Sequence, residues 1–220
     1  MKQRIGVLGS GGVGKILSEG FQKKGHSVTL GTEHPEKLSE WAQQNKQIAI
    51  GNFSKTISSS DSIILAVKGT AAEAVVKKFS SELAGRVVID ATNPIADKPP
   101  VNGVIQFFTS LDKSLMEILQ AAAPQAKFVK AFNSVGNALM IDPDFGDGHP
   151  TMFICGNDPT AKKEVSELLQ TVGWDAEDMG HVESARAIEP LCMLWCIPGM
   201  IRNQWSHAFK LLKQKTVVKV

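Results

Sequence analysis

Cysteine is scarce in this chain of 220 residues, which contains only Cys155, Cys192 and Cys196. A small, odd number of cysteines argues against a disulfide framework. Cys192 and Cys196 lie four residues apart, and on a helix that spacing places both thiols on one face. A metal or redox pair there would need further ligands nearby, and the apolar neighbours favour buried thiols instead. We therefore expect no metal site.

The chain also lacks a large excess of either positive or negative charge, and it has no long apolar run. The 24 Lys and Arg residues and the 22 Asp and Glu residues nearly cancel, and the lysines are scattered. Such a chain has no strong field for a polyanion, so we expect no nucleic-acid partner. No apolar run approaches the roughly 20 residues that cross a bilayer, and the first residues lack the apolar core of a signal peptide. We expect a cytoplasmic protein without a membrane partner.

Short apolar runs alternate with amphipathic helical stretches up to Asp178. This alternation predicts an α/β fold, a Rossmann-type doubly wound and mainly parallel sheet with a C-terminal helical region. The predicted strands span residues 4–8, 27–30, 47–50, 62–67, 87–90, 128–130 and 151–155, with a short edge strand at 175–179. One helix is expected to follow Thr70, since apolar residues recur at helical spacing from there to Leu83.

The pattern changes near residue 183, where a helix-prone segment runs to residue 215. Pro190 and Pro198 interrupt it and predict two or three helices, because proline removes a helical hydrogen bond. We divide the chain into a dinucleotide-binding domain, residues 1–180, and a C-terminal helical region, residues 181–220, that forms a pocket wall or a dimer contact. A homodimer is expected from the apolar surface that four residues offer: Trp195, Trp205, Phe209 and Leu212.

A G-x-G-x-x-G pattern follows the first apolar run, and its six residues are Gly9, Ser10, Gly11, Gly12, Val13 and Gly14. Gly9 permits a tight turn, Gly11 lets the backbone approach a pyrophosphate, and Gly14 allows close packing of helix on strand. The phosphates would lie at a helix N-terminus, where free N–H groups favour an anion. Because a strand precedes the turn and an amphipathic stretch follows it, we favour dinucleotide binding over a merely structural turn.

The second predicted strand ends just before Thr32, where the adenosine ribose should lie. A carboxylate at Glu33 suits the 2′-OH of NAD, whereas the Thr32 hydroxyl and the Lys37 charge suit the 2′-phosphate of NADP. A solvated helical pair between Glu33 and Lys37 is the simpler alternative. These residues alone therefore do not decide whether the cofactor is NADP or NAD.

The nicotinamide end should lie beyond the carboxyl ends of the strands, where open α/β sheets bind ligands. The residues expected there are Ala66, Val67 and Lys68, which would line the cofactor trough, and Asn93, Pro94 and Asn133, which would orient the nicotinamide amide or the hydride acceptor. Turn capping is the alternative for the two asparagines. Lys130 closes a strand, and we interpret it as an exposed charge in preference to a general acid. The catalytic residues stay unknown, because hydride transfer needs proximity and orientation more than an acid or base.

With these motifs the chain resembles the NADP oxidoreductases that depend on the deazaflavin coenzyme F420, and their bacterial dinucleotide-binding relatives. The segments that carry the resemblance are residues 9–14, 31–32, 35–38, 88–94, 129–133 and 153–158. The resemblance implies a Rossmann domain with a small C-terminal helical region, and hydride transfer between deazaflavin and NADP in the cleft between them. It places the phosphate loop at Ser10, Gly11, Gly12 and Val13. It places the contacts to the 2′-phosphate at Thr32, Glu33 and Lys37. Glu33 replaces the usual arginine.

We therefore predict an oxidoreductase that binds NADP(H), with NAD as the alternative cofactor. Hydride would pass between the nicotinamide and a second small molecule, either a deazaflavin, a flavin or a small carbonyl or imine. A different class of function is also open, in which the chain is a noncatalytic module that senses NADP(H) through a dimer interface.

Overall fold

A six-stranded parallel sheet forms the centre of the computed structural model, which describes residues 2–146 and 148–214. Its strands are β1 (Arg4–Leu8), β2 (Ser27–Gly31), β3 (Ala49–Gly51), β4 (Ser62–Leu65), β5 (Val87–Asp90) and β6 (Lys127–Lys130). They lie in the order β3-β2-β1-β4-β5-β6, so the direction of winding reverses between β1 and β4. This order confirms the predicted doubly wound Rossmann fold, whose ligands bind at the switch point.

Helices cover both faces of the sheet. In chain order they are α1 (Gly12–Lys23), α2 (Ser39–Gln44), α3 (Phe53–Ser58), α4 (Gly69–Lys78), α5 (Ser80–Leu83), α6 (Leu115–Ala122), α7 (Pro159–Thr171) and α8 (Ala185–Arg202). Successive residues of a strand pack into two different apolar clusters. In β4, for example, Ile64 belongs to the cluster that contains residues of α1 and α7, whereas Ile63 and Leu65 belong to the second cluster. Apolar strand residues therefore face both sides of the sheet, as expected for a sheet buried on both faces. The single helix expected after Thr70 is divided at Phe79 into α4 and α5.

Two further strands form a parallel pair of their own. They are β7 (Thr151–Ile154) and β8 (Asp175–Asp178), each one residue shorter than predicted. An isolated antiparallel bridge between Lys130 and Cys155 connects β7 to β6. The predicted edge strand thus pairs with β7 and lies outside the six-stranded sheet.

The prediction of two or three helices after residue 183 is wrong. A single helix, α8, contains both Pro190 and Pro198. Residues on both sides of each proline are buried, among them Ile188, Cys192 and Trp195, and this packing holds the helix together despite the missing N–H groups.

Beyond α8 the chain turns back on itself. Asn203 has a left-handed backbone, with φ of 53°, and ends the helix. The Trp195 indole N–H donates to the His207 carbonyl at 2.8 Å, and the Thr151 N–H donates to the Phe209 carbonyl at 2.8 Å. Residues 215–220 of the predicted C-terminal region lie outside the described residues. Within residues 2–146 and 148–214, no helix has both the length and the apolar character to cross a membrane.

Candidate functional site

The turn between β1 and α1 is built on glycine. Gly9 has φ of +118°, and a Cβ there would lie 2.5 Å from the Ala66 carbonyl oxygen. A Cβ at Gly14 would lie 1.8 Å from the Gly9 carbonyl oxygen. Since any side chain would collide with backbone, the fold itself requires glycine at both positions.

Gly11 differs from those two glycines, because a Cβ at its position would meet no atom within 4 Å. It occupies the N-cap of α1 without a side chain to bond the first helical N–H groups. Free N–H groups and the positive end of the helix dipole make such a terminus attractive to an anion. Packing within the described residues therefore does not require glycine at Gly11, whereas close approach of a phosphate would.

At the adenosine end, the Ser10 hydroxyl donates to Thr32 Oγ1 at 3.0 Å. Thr32 is buried, and its Oγ1 also accepts from the His34 N–H at 3.1 Å. Glu33 lies before the short 3-10 helix Pro35–Leu38, and its carboxylate is 3.8 Å from Lys78 Nζ on α4. The alternative of a helical Glu33–Lys37 pair is therefore wrong, because residue 33 is not helical.

At the other end of the turn, a cavity of about 280 Å³ opens at the carboxyl ends of β4 and β5. Its lining comprises Val13, Ala66, Val67, Lys68, Gly69, Ala91, Thr92, Asn93, Ile95 and Asp97. The Lys68 ammonium donates to the Asp97 carboxylate at the exposed side. The fold thus brings Val13 of the turn to the predicted trough residues and to Asn93, whereas the predicted Pro94 and Asn133 are buried beside this lining.

A larger and more open cavity, of about 720 Å³, lies elsewhere, with Lys127 and Asp158 in its lining. Lys127 is the first residue of β6, so this cavity is at the amino end of the strands. Ligands of open α/β sheets bind at the carboxyl ends, and we therefore assign the site to the smaller cavity.

The two predicted asparagines bond to each other. Asn93 Nδ2 donates to the Asn133 carbonyl at 2.8 Å, and Asn133 Nδ2 donates to Asn93 Oδ1 at 3.3 Å and to the Ile188 carbonyl at 2.9 Å. These bonds join distant segments, so simple turn capping is not their role. Asn133 Oδ1 is a buried acceptor with no partner among the described residues.

Lys130 is fully buried, so its interpretation as an exposed charge is wrong. Its ammonium lies 2.7 Å from Asp90 Oδ2, 3.0 Å from Glu189 Oε1 and 3.0 Å from the Thr92 carbonyl oxygen. Burial by itself lowers the pKa of Lys130, but the adjacent carboxylates outweigh burial and hold that pKa above its usual value. Lys130 therefore stays protonated and is no proton donor.

This buried network is what sequence reasoning missed. Asp90 and Lys130 end neighbouring apolar strands and are register partners, so two opposite charges at matching strand ends were the available signal. Glu189 lies in a segment where the prolines suggested that the helix would break, and it offered no comparable signal.

The described residues contain no group of three or more His, Cys, Asp or Glu side chains placed to hold a metal ion. All three cysteines are free thiols. Burial raises the pKa of Cys155 to about 12. Cys192 is also buried, as interpreted from the sequence, and Cys196 is partly buried.

Several proteins similar to this chain are named as oxidoreductases. The sequence model of the family described as NADP oxidoreductase, coenzyme F420-dependent, matches residues 4–94. The chain is 29% identical over 208 residues to the F420-dependent NADP reductase of Methanocaldococcus jannaschii, covering 86% of this chain and 88% of that protein. A crystal structure of a proposed F420-dependent NADP reductase from Arthrobacter sp. FB24 superposes with a TM-score of 0.89 at 28% identity, and covers 96% of this chain and 100% of the other.

A metalloreductase also occurs among the relatives. The chain is 28% identical over 203 residues to the metalloreductase STEAP3 of Rattus norvegicus, which covers 90% of this chain. The chain spans only 39% of that protein's length, so the match concerns one part of it. Together these matches confirm the resemblance predicted from the motifs: the chain is similar in sequence and fold to proteins described as coenzyme F420-dependent NADP oxidoreductases.

Proposed function

We propose that the chain binds NADP(H) across the carboxyl edge of the sheet and passes hydride between its nicotinamide and a second small molecule. The observation that carries this proposal is Gly11, a glycine that packing does not require, at the open N-terminus of α1. A pyrophosphate seated there would direct the adenosine towards Ser10 and Thr32, and the nicotinamide past Val13 into the 280 Å³ cavity.

The preference for NADP over NAD rests on the loop after β2. Thr32 can offer a hydroxyl and Lys37 a positive charge to a 2′-phosphate. The Glu33 carboxylate opposes that phosphate, but Lys78 Nζ lies 3.8 Å from it and offsets part of its charge. Both side chains are exposed, so water and salt keep either effect small.

Hydride transfer requires that two reacting carbons approach closely and stay aligned. When bound, the nicotinamide supplies or accepts the hydride. This chain would hold the pyrophosphate on main-chain N–H groups, exclude water with the apolar side chains of Val13, Val67 and Ile95, and orient the carboxamide with Asn93. No side chain of the cavity is needed as an acid or base for the hydride step itself.

The second substrate is proposed to be a deazaflavin or a flavin, with a small carbonyl or imine as the other possibility. The relatives named F420-dependent NADP reductases favour the deazaflavin. A flat ring stacked on the nicotinamide would need the cavity open on one side, and the exposed Lys68–Asp97 pair lies at such an opening.

Calorimetry with NADP and NAD tests the binding step, and loss of NADPH absorbance with a panel of deazaflavin, flavin, carbonyl and imine acceptors tests the reaction. We expect tighter binding of NADP and turnover with at least one acceptor. Binding without turnover on every acceptor would favour the noncatalytic sensing module instead. If neither nucleotide binds, the proposal is wrong.

A further inference from the structure

The buried ion network lies directly behind the proposed nicotinamide cavity. Lys130 has three N–H donors, and the structure supplies three acceptors: Asp90 on β5, the Thr92 carbonyl, and Glu189 on α8. All three charged side chains are at most 2% exposed. The ammonium hydrogen-bonds the Thr92 carbonyl and lies within 3.0 Å of both carboxylates, and these contacts, shielded from water, fix its position.

The network holds the backbone at the cavity wall. The Thr92 carbonyl that Lys130 bonds belongs to the peptide group joining Thr92 to Asn93. The described chain has no cis peptide bond, so the Asn93 N–H is directed opposite to that carbonyl, away from the ammonium. Asp90 Oδ1 also accepts from the Thr92 N–H at 2.9 Å. Both polar groups of the Thr92 backbone are thus fixed, and the orientation of Asn93 follows.

A second connection runs through α8 itself. Glu189 accepts from the N–H groups of Leu115 and Met116 at 2.9 and 3.0 Å, so its carboxylate closes the N-terminus of α6. The preceding residue, Ile188, accepts from Asn133, which in turn contacts Asn93. The same turn of α8 therefore reaches Asn93 by two separate paths.

We propose that Glu189 and Lys130 are positioning residues for the nicotinamide half of the dinucleotide, and that they make the C-terminal helix a component of that half of the site. The inference rests on the proposed function. It assigns no contact between either residue and the nucleotide, since both act through the Thr92 carbonyl and the Asn93–Asn133 pair.

Comparing a ligand that has only the adenosine half with the whole nucleotide distinguishes this positioning role from a general effect on folding. Adenosine 2′,5′-bisphosphate carries the adenosine half alone, whereas NADP carries both halves. In Glu189→Gln, an amide replaces one oxygen and presents N–H groups to Lys130 or to the α6 terminus, so the network loosens. We expect NADP to bind about tenfold more weakly, the equivalent of one weakened charge-assisted hydrogen bond, with unchanged affinity for the bisphosphate.

Arg186→Gln is the matched control. Arg186 lies one turn before Glu189 on α8 and also bonds α6, through Glu117, but it does not bond Lys130. We expect unchanged affinities for both ligands. If Glu189→Gln does not fold, Asn133→Ser interrupts the second path without altering the charges and should show the same split.

Equal weakening of both ligands in the variants, or no change in either, would overturn the inference. Wild-type protein that binds the bisphosphate as tightly as NADP would overturn it as well, because the cavity would then contribute nothing. Wild-type protein that binds neither ligand would instead overturn the proposed function.

Discussion

Among single residues, Gly11 gives the sharpest test of the nucleotide site. We expect Gly11→Val to fold, because a Cβ at that position would meet no atom within 4 Å, and to lose most of its affinity for NADP. The valine would occupy the space that a pyrophosphate needs. Calorimetry on the variant, after circular dichroism has shown a native spectrum, measures this effect.

Gly14→Val provides the contrast to that variant. A Cβ at Gly14 would lie 1.8 Å from backbone, so this substitution should destroy the fold along with binding. A folded Gly11→Val protein with unchanged affinity would show that the turn does not hold the phosphates.

The residues after β2 decide the cofactor preference. We predict a modest preference for NADP that rises in Glu33→Arg, since arginine adds a planar, multi-donor contact to the phosphate. The preference should fall in Lys37→Ala. Exposed charge pairs are worth about 0–1 kcal/mol, so each change should alter the NADP to NAD ratio by about fivefold or less.

Dissociation constants for both nucleotides at one fixed salt concentration check this prediction. Lys77→Ala is a suitable control, because Lys77 is another exposed lysine and pairs with Glu73 on its own helix. Tighter binding of NAD by the native protein, with no effect of Lys37→Ala on NADP, would identify Glu33 as a ribose carboxylate.

At the scale of secondary-structure elements, the sequence predicted correctly those features that depend on neighbouring residues alone. Strands buried on both faces produce apolar runs such as 62–65, and the glycine turn follows from backbone sterics, so both could be predicted. Lys130 could not be placed from its neighbours, because the carboxylate that completes its burial is on α8, far along the chain. The same reason explains the wrong prediction at Pro190 and Pro198. Tertiary packing of α8 overrides the local preference of proline to break a helix.

The site was predictable to the same extent. Ala66, Val67, Lys68 and Asn93 line the cavity because they follow strand ends, as the sheet rule requires. Ile95 and Asp97 come from an irregular loop without a sequence signal, and they were missed. Lys78 reaches Glu33 only because of the path of α4 across the sheet.

The contact between α6 and α8 predicts a pH dependence of stability. Hydrogen bonds from Arg186 above all, and from Ser114, lower the pKa of Glu117 from 4.5 to about 2. Because the folded pKa is the lower one, the stabilisation is fully present above pH 4.5 and is lost as the pH falls towards about 2. Denaturant unfolding of Glu117→Gln should therefore show a shallower loss of stability across this range than the native protein.

Glu73→Gln is the matched variant, since it removes an exposed carboxylate that pairs within α4. We expect it to keep the native acid dependence. An unchanged acid dependence in Glu117→Gln would show that the Glu117–Arg186 pair does not stabilise the α6–α8 contact.

At the scale of the whole molecule, apolar side chains remain exposed on one surface of the described chain. We define the C-terminal apolar surface by Leu194, Met200 and Ile201 of α8 together with Val101 and Val104 of the adjacent loop. The two elements are in contact, because a Cβ at Gly103 would lie 2.6 Å from Ile201 Cγ1. Trp195, which the sequence suggested as an interface residue, is instead buried within its own chain.

We predict that this surface forms a homodimer contact, because contiguous exposed apolar residues are uncommon on monomers. Light scattering at micromolar concentration should give the mass of two chains. The double variant Leu194→Glu and Ile201→Glu should give the mass of one, with little loss of stability, since both side chains are more than half exposed. Phe145→Glu changes another exposed apolar residue, in the loop after Met140, and should stay dimeric. A native protein with the mass of one chain would leave this surface without a partner and would also remove the dimer interface that a noncatalytic sensing module requires.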